Sequence, residues 1–480
     1  MNRRSPIQTL AVFAVVGLVA LLATPVNAQD NIYKNFGGLG SVAGPTLNPG
    51  GQGQVLYGGY YDVRSVNGDA QHNNLQIVNT NTNDASLPVC STEDFDAGIA
   101  GEDCYDVTGG ILAKVRFRAA MDSEEVLDFV IALSCGEVWA GAVQLSGNGM
   151  PFIRSDFPVY DVGSTVRPAL AVTTSRGFAG GYAFPGALGV TADDMSRGSI
   201  EVIAMESLFC EPDAGALSPS GVDTWTRLGT MAGSNALSGV VFQVRAAAGV
   251  SYAYNMDAIS RFANGGSLAP EDLLAANEPN ATDCDVAGLS EEGCLAAISL
   301  ALSKSRVVAQ YDIEAGTSGS TNIVLTLPNK HLYCAGGGAN GPFQCDAAGE
   351  QVGVELYDRR ENFAAEGDAR LPYEVTVVSI TADGLPRGNA DIAWQPGVGL
   401  SMESGWLTID LTRNFDGVLV HEESDASLSV LGMPVDGYRG LPTIALVLQE
   451  FISDATAAGS TYGSTVAAGT SQQVLLGDPS

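Results

Sequence analysis

Residues 111–120 read ILAKVRFRAA, and how this stretch is read decides the fold. Val115, Phe117 and Ala119 fall on one phase of a two-residue period, and Lys114, Arg116 and Arg118 fall on the other. Side chains of an extended chain alternate between faces. The pattern therefore predicts a half-buried antiparallel strand, with its apolar phase on a core and its basic phase in water. Leu127, Phe129, Ile131 and Leu133 repeat the period just downstream. Similar runs occur at 54–63, 75–78, 137–145, 200–205, 240–246 and 250–259. They resume at 306–313, 321–327, 352–357, 373–380, 406–411 and 443–451. Turn-forming clusters such as Asn79-Thr80-Asn81-Thr82 punctuate the series.

About fifteen strands joined by Gly-rich loops predict a mainly β chain with two β-sandwich domains, Ig-like or jelly-roll-like. The N-terminal sandwich is expected over 54–265 and the C-terminal one over 305–453. Between them, 266–304 reads as a small helical insertion. Pro270 precedes Glu271 and Asp272, as in a helix first turn, and Ser290 sits where it caps a face of Leu295, Ile298 and Leu302. The rival is an outer-membrane barrel. Irregular strand spacing, the helical interruption and eight cysteines argue against it.

The ends read differently. Arg3 and Arg4, an apolar run from Leu10 to Ala23, and Val26-Asn27-Ala28 form the pattern of a secretory signal peptide over 1–28. The apolar run is short of the roughly 20 residues a membrane-spanning helix needs. Residues 29–53 are rich in Gly, Asn and Pro and read as an extended N-terminal arm, either pairing with a neighbour's sheet edge or forming a flexible terminus. Residues 454–480 form an Ala/Gly/Ser/Thr-rich, low-complexity tail expected to be loosely ordered.

The 480 residues carry 54 Asp+Glu against 23 Lys+Arg, a formal net charge of −31. Binding phosphate backbones needs a basic surface, so this charge argues against nucleic acid as a partner. With 45% apolar residues it can bury large cores. In an exported chain, eight cysteines point to disulfides. Spacing favours Cys90–Cys104, Cys284–Cys294 and Cys334–Cys345 as loop staples and leaves Cys135–Cys210 as a longer link, although connectivity stays open. Glu93, Asp94, Asp96, Glu102, Asp103 and Asp106 surround the first staple, and Asp283 and Asp285 border the second. Oxygen-rich loops of this kind suit Ca²⁺, which takes about six to eight oxygen ligands. A plainly solvated acidic loop is the competing reading, since no full EF-hand pattern is present.

Catalytic motifs are missing from the sequence. There is no H-E-x-x-H, G-x-S-x-G, Walker A or C-x-x-C, and His72, His331 and His421 form no metal-spaced pair. Paired carboxylates for glycoside hydrolysis are always available among so many acids. However, of the four tryptophans, Trp139 and Trp406 lie on strand patterns and are expected in the core.

Several segments resemble exported β-rich cell-surface and surface-layer-like proteins of Gram-negative bacteria. They are KVRFR at 114–118, SEEVLDF at 123–129, EVW at 137–139, LTLPNK at 325–330, LPYEV at 371–375, Gly405-Trp406 and GLPTI at 440–444. These segments are spread over most of the chain and carry no active site. The resemblance implies a structural, self-assembling protein of the bacterial surface, a surface-layer or extracellular-matrix subunit. Its partners would be copies of itself and the outer-membrane or lipopolysaccharide surface. The acidity implies cation-dependent assembly. A secreted adhesin or glycan-binding module is the first alternative, to be recognised by a solvent-exposed aromatic cleft. An extracellular hydrolase is the second.

Overall fold

A computed structural model describes residues 46–66, 69–81, 109–120, 125–157, 159–161, 169–172, 181–185, 190–208, 224–226, 235–245, 250–260, 302–312, 320–328, 330, 349–381, 392–394, 404–412, 438–439, 441–453, 460–466, 469–471 and 473–474. All lie in one compact unit, Gly44–Ser480. The chain is mainly β, built of several antiparallel sheets. Every strand-like run read from the sequence contains a strand. Residues 1–28, read as a signal peptide, and most of 29–53, read as an arm, lie outside the described residues. So does most of 266–304, read as a helical insertion; within it Ser303–Lys304 is a strand that pairs with Leu441–Pro442.

Four sheets carry the architecture. Among the described residues, sheet I has nine strands in the order Thr46–Asn48, Asp257–Ser260, Val55–Asp62, Arg197–Leu208, Gly110–Ala119, Glu125–Leu133, Tyr160–Asp161, Ala169–Val172 and Thr224–Thr226. Sheet II is built around Asp69–Asn79, flanked by Val138–Leu145 and Leu237–Arg245. Leu56, Val115, Phe117, Ile131 and Val202 of sheet I share one apolar cluster with Leu75, Ile77, Trp139, Val143 and Val241 of sheet II. Rings lock this core together: Phe129 lies 5.2 Å from Trp139 and Phe117 5.4 Å from Tyr61.

Sheet III runs Ile392–Trp394, Phe363–Leu371, Glu350–Asp358, Ser404–Asp410, Arg306–Asp312 and Gly469–Ser471. Sheet IV runs Val375–Thr381, Ser320–Thr326, Ile444–Ser453 and Ser460–Val466. Val307, Val354, Leu356, Leu407 and Ile409 of sheet III form a second cluster with Ile323, Leu325, Val378 and Val447 of sheet IV. The opposite side of sheet IV is also apolar: Val324, Val375, Val377 and Leu448 belong to the first cluster. A sheet buried on both faces needs near-continuous apolar runs rather than alternation. Residues 323–325 (IVL), 375–378 (VTVV) and 444–448 (IALVL) supply them.

Two expectations are corrected. The strand Gly110–Ala119 is not half-buried, because all ten of its residues are buried. Lys114, Arg116 and Arg118 are each 1% exposed. Their phase faces carboxylates rather than water. Lys114 Nζ lies 2.9 Å from Asp128, Arg116 Nε 3.4 Å from Glu125, and Arg118 Nε 3.1 Å from Glu201. Strand pairing puts acids and bases on one face, with Arg116 opposite Asp128 and Glu201 and Arg118 opposite Glu125, and each ion pair reaches diagonally to the next position. The second correction concerns the tail. Ser460–Val466 adds to the edge of sheet IV, Gly469–Ser471 pairs with the Arg306–Asp312 strand, and Gln473–Val474 pairs with Tyr438–Arg439. Ile444–Ser453 would otherwise leave a row of backbone groups unpaired on that side. The β-favouring Thr, Tyr and Val of 460–466 can serve as its partner.

The charge ladder continues into the second half of the chain. Glu374 is 2% exposed, accepts a hydrogen bond from Ser199 Oγ at 3.1 Å, and acts electrostatically on Arg118. Beside it, the Val375 N–H donates to the Ala120 carbonyl at 3.4 Å. Burial lowers the Arg118 guanidinium, but the nearby Glu201 carboxylate, with Glu374 and Glu125, holds it above its ordinary value. Burial also pushes Glu125 up, and Lys114 partly opposes the shift. The ladder acts as a structural rivet between sheets I and IV.

Candidate functional site

The acidic loops singled out for Ca²⁺, comprising Glu93, Asp94, Asp96, Glu102, Asp103, Asp106, Asp283 and Asp285, lie outside the described residues. Among the described residues, no group of three or more His, Cys, Asp or Glu side chains is placed to hold a metal ion. Cys135, in the turn before Val138–Leu145, is disulfide-bonded. Its partner and the other cysteines (Cys90, Cys104, Cys210, Cys284, Cys294, Cys334 and Cys345) lie outside the described residues.

Two surfaces remain, and the first is the edge of sheet I. Thr46–Asn48, within the stretch read as the arm, form the outermost strand of that sheet, with Thr46 opposite Ser260, Leu47 opposite Ile259 and Asn48 opposite Ala258. The chain then crosses to the other side of Asp257–Ser260, where Val55–Asp62 begins. The crossing, Pro49-Gly50-Gly51-Gln52-Gly53, is a Gly-rich turn. Asn48 Oδ1 accepts from the Gly50 N–H at 2.9 Å, Asn48 Nδ2 donates to the Gln52 carbonyl at 2.6 Å, and Gly51 adopts φ 71°. A Cβ on Gly53 would lie 2.5 Å from the Ile259 carbonyl oxygen, so only glycine lets the chain pass this close.

The second surface is the side of sheet III facing away from its core. In the Ser404–Asp410 strand, Leu407 and Ile409 point inward, which leaves Trp406 on the outer phase. Tyr357 stands directly opposite it on the neighbouring strand. Their rings are stacked, with centroids 4.0 Å apart and planes within 6°. Phe363 follows across the next pairing. It lies edge-on to Tyr357 at 5.7 Å and 80° and is 50% exposed. Trp139 is buried as expected, whereas Trp406 is only part-buried, which corrects its assignment to the core.

Local structure builds this aromatic row. A Cβ on Gly405 would lie 1.8 Å from the Tyr357 carbonyl oxygen, so glycine allows the two strands to approach beside the stack. The turn at 358–362 is tied by Asp358. Its Oδ1 accepts from the Arg360 and Asn362 N–H groups at 2.7 and 2.8 Å, and its Oδ2 from Asn362 Nδ2 at 2.8 Å. These bonds from Asn362 hold the Asp358 carboxyl below its usual range. An irregularity between Leu356 and Tyr357 shifts the register and brings Phe363 opposite Tyr357. Polar groups line the next positions. Tyr357 OH donates to Glu355 at 2.8 Å, Glu366 stands opposite Glu355, and Gln351 Nε2 donates to Asp368 at 2.7 Å. The chemistry available here is non-covalent: ring faces and edges next to carboxylates and amides that bond hydroxyl or N–H donors. Sequence phase carried the signal, since Trp406 is out of step with Leu407, Ile409 and Leu411, and Tyr357 with Val352, Val354 and Leu356.

No protein family, curated protein or solved structure matches the chain.

Proposed function

We propose that this is an exported, non-catalytic structural protein of the bacterial cell surface, built from two β-sandwiches of Ig-like or jelly-roll-like type, that self-associates into a surface-layer or matrix assembly. Its partners are further copies of the chain, and beneath them the outer-membrane or lipopolysaccharide surface. The observation that supports this is the edge of sheet I. The arm strand Thr46–Asn48 is held there by a three-residue pairing at the end of a Gly-rich crossing. The same backbone bonds form equally well with the arm of a neighbouring copy, and exchange of an identical element is a low-cost route to assembly. Short hinge loops of this kind favour such exchange. Mutual repulsion between acidic copies opposes it, so salt or Ca²⁺ strengthens the assembly.

The test uses the register. Leu47 and Ile259 are cross-strand partners, and such partners sit about 4.5–5.5 Å apart at Cα, within disulfide reach. A Leu47→Cys, Ile259→Cys variant, oxidised after assembly, should run as covalent multimers on non-reducing gels if arms are exchanged. A product that is monomeric throughout, from protein that sediments as an oligomer, refutes the exchange. Sedimentation with and without excess chelator tests the Ca²⁺ part. Identical assemblies in both conditions would remove it.

A further inference from the structure

We propose that the outer face of sheet III, at Trp406, Tyr357 and Phe363, is a docking site for a neutral polysaccharide. The proposal is independent of self-association through the arm, which uses a different sheet.

Three observations carry it. First, the row is apolar where water would ordinarily exclude apolar groups: Phe363 is half in solvent and extends the Trp406–Tyr357 stack along one line across three strands. Apolar surface arranged contiguously on an otherwise polar face marks a contact site more than chance does. Second, the row is rigidly supported. Gly405 sets the strand approach, Asp358 ties the turn, and the register shift at Leu356 and Tyr357 delivers Phe363. Pre-positioned rings lose little freedom on binding, which favours affinity. Third, the polar groups beside the rings select the ligand chemistry. Glu355, Glu366 and Asp368 accept hydrogen bonds from hydroxyls, and Gln351 is already bonded in the same row. A sugar ring offers this combination, with a C–H face for the aromatic side and hydroxyls at its rim.

Charge argues against the other occupants. A second copy of the chain brings a net −31, a lipid surface brings anionic headgroups and nucleic acid brings phosphates. All of these meet a face on which Glu355, Glu366, Asp368, Asp312 and Asp410 outnumber the exposed Arg306, Arg359 and Arg370. A neutral, hydroxyl-rich polymer does not. A linear polysaccharide also matches a row that spans several strands better than a small compact ligand would.

The test is retention of the full chain on three neutral insoluble polysaccharides: chitin, cellulose and starch. Retention on at least one is expected, with Phe363→Ala and Trp406→Ala each reducing the affinity about tenfold. Tyr182→Ala, which removes an exposed ring on sheet II, should leave it unchanged. Thermal melts check that the variants are folded. Phe363 is half exposed and decides the matter if Trp406→Ala unfolds. A wild-type chain retained on none of the three matrices overturns the proposal, and so does equal retention of wild type and Phe363→Ala. Loss of self-association in Phe363→Ala, without polysaccharide retention in wild type, would assign the face to copy–copy contact and also overturns it. A chain lacking residues 29–48 separates the two readings, because it should lose assembly and keep retention.

Discussion

Replacing Glu201 with Gln should destabilise the protein strongly, although the change removes only a charge. Arg118 and Glu201 are both buried, and their charged atoms lie 3.1 Å apart. At that distance, 3.1 Å, two unit charges attract by about 5 kcal/mol at an effective dielectric of about 20, against about 1 kcal/mol in water. Gln keeps an acceptor but leaves a buried guanidinium without its nearest anion. Breaking a buried pair from one side typically costs about 3–5 kcal/mol. Glu374 and Glu125 still act on Arg118, so the expected loss is at the lower end, about 3 kcal/mol. Arg118→Met should cost a similar amount, because it strands Glu201. The double variant Arg118→Met, Glu201→Gln removes both charges and should cost clearly less than the sum of the two single changes. Reversible urea unfolding at neutral pH measures all four corners of the cycle. A coupling energy near zero, or a Glu201→Gln cost below about 0.5 kcal/mol, would refute the reasoning by placing the pair with exposed ion pairs.

Gly405→Ala forces a Cβ to 1.8 Å from the Tyr357 carbonyl oxygen. It should cost about 3 kcal/mol or more and loosen the Trp406–Tyr357 stack, as read from the melting midpoint and the near-ultraviolet circular dichroism. Asp257 should make stability depend on pH. Burial raises its carboxyl above the ordinary 3.8, and Lys304 opposes the rise. A raised carboxyl contributes stability that is complete below its unfolded value and lost as pH rises through the folded one. Asp257→Asn should therefore match wild type in acid and become the more stable of the two towards neutrality, measured as urea midpoints. Wild type gaining on the variant instead would mean that the Lys304 attraction outweighs burial. Added monovalent salt should tighten self-association. Loosening would show that opposed charges, rather than backbone pairing, hold the copies together.

The sequence made the strands legible because most of them face a core on one side. Val115, Phe117 and Ala119, or Leu127, Phe129, Ile131 and Leu133, announce themselves by phase alone. Phase could not tell what covers the other side. Lys114, Arg116 and Arg118 read as a wet face, and the acids that neutralise them come from 7 to 256 residues away: Glu125 follows closely, but Glu201 and Glu374 are brought in by the fold. Long-range pairing of this kind leaves no local signature. Sheet IV posed the converse problem. Its unbroken apolar runs mark a layer buried on both sides, and that signal lies in the composition of 323–325 and 444–448. The aromatic row was partly legible. Trp406 and Tyr357 fall on the outward phase of their strands, but only the register places them side by side, and only the turn at 358–362 adds Phe363.

Burial does little to change the overall charge. Among the described residues, Lys114, Arg116, Arg118, Arg245 and Lys330 are buried against Asp62, Glu201, Glu350 and Glu374, so nearly equal numbers of each sign leave the surface. The acid excess of the described residues therefore stays outside, and it limits how their surface can make contacts. Association through complementary charge would need a basic patch, and the basic cluster that the sequence advertises is sealed inside as a rivet between sheets I and IV. Exposed arginines such as Arg154, Arg306, Arg359 and Arg370 are scattered among more numerous acids, so contacts between such surfaces favour groups without net charge. Backbone N–H and carbonyl groups at the edge of sheet I are one such set, and the ring row on sheet III is the other. The two proposals draw on separate sheets for the same electrostatic reason, so either can fail without taking the other with it.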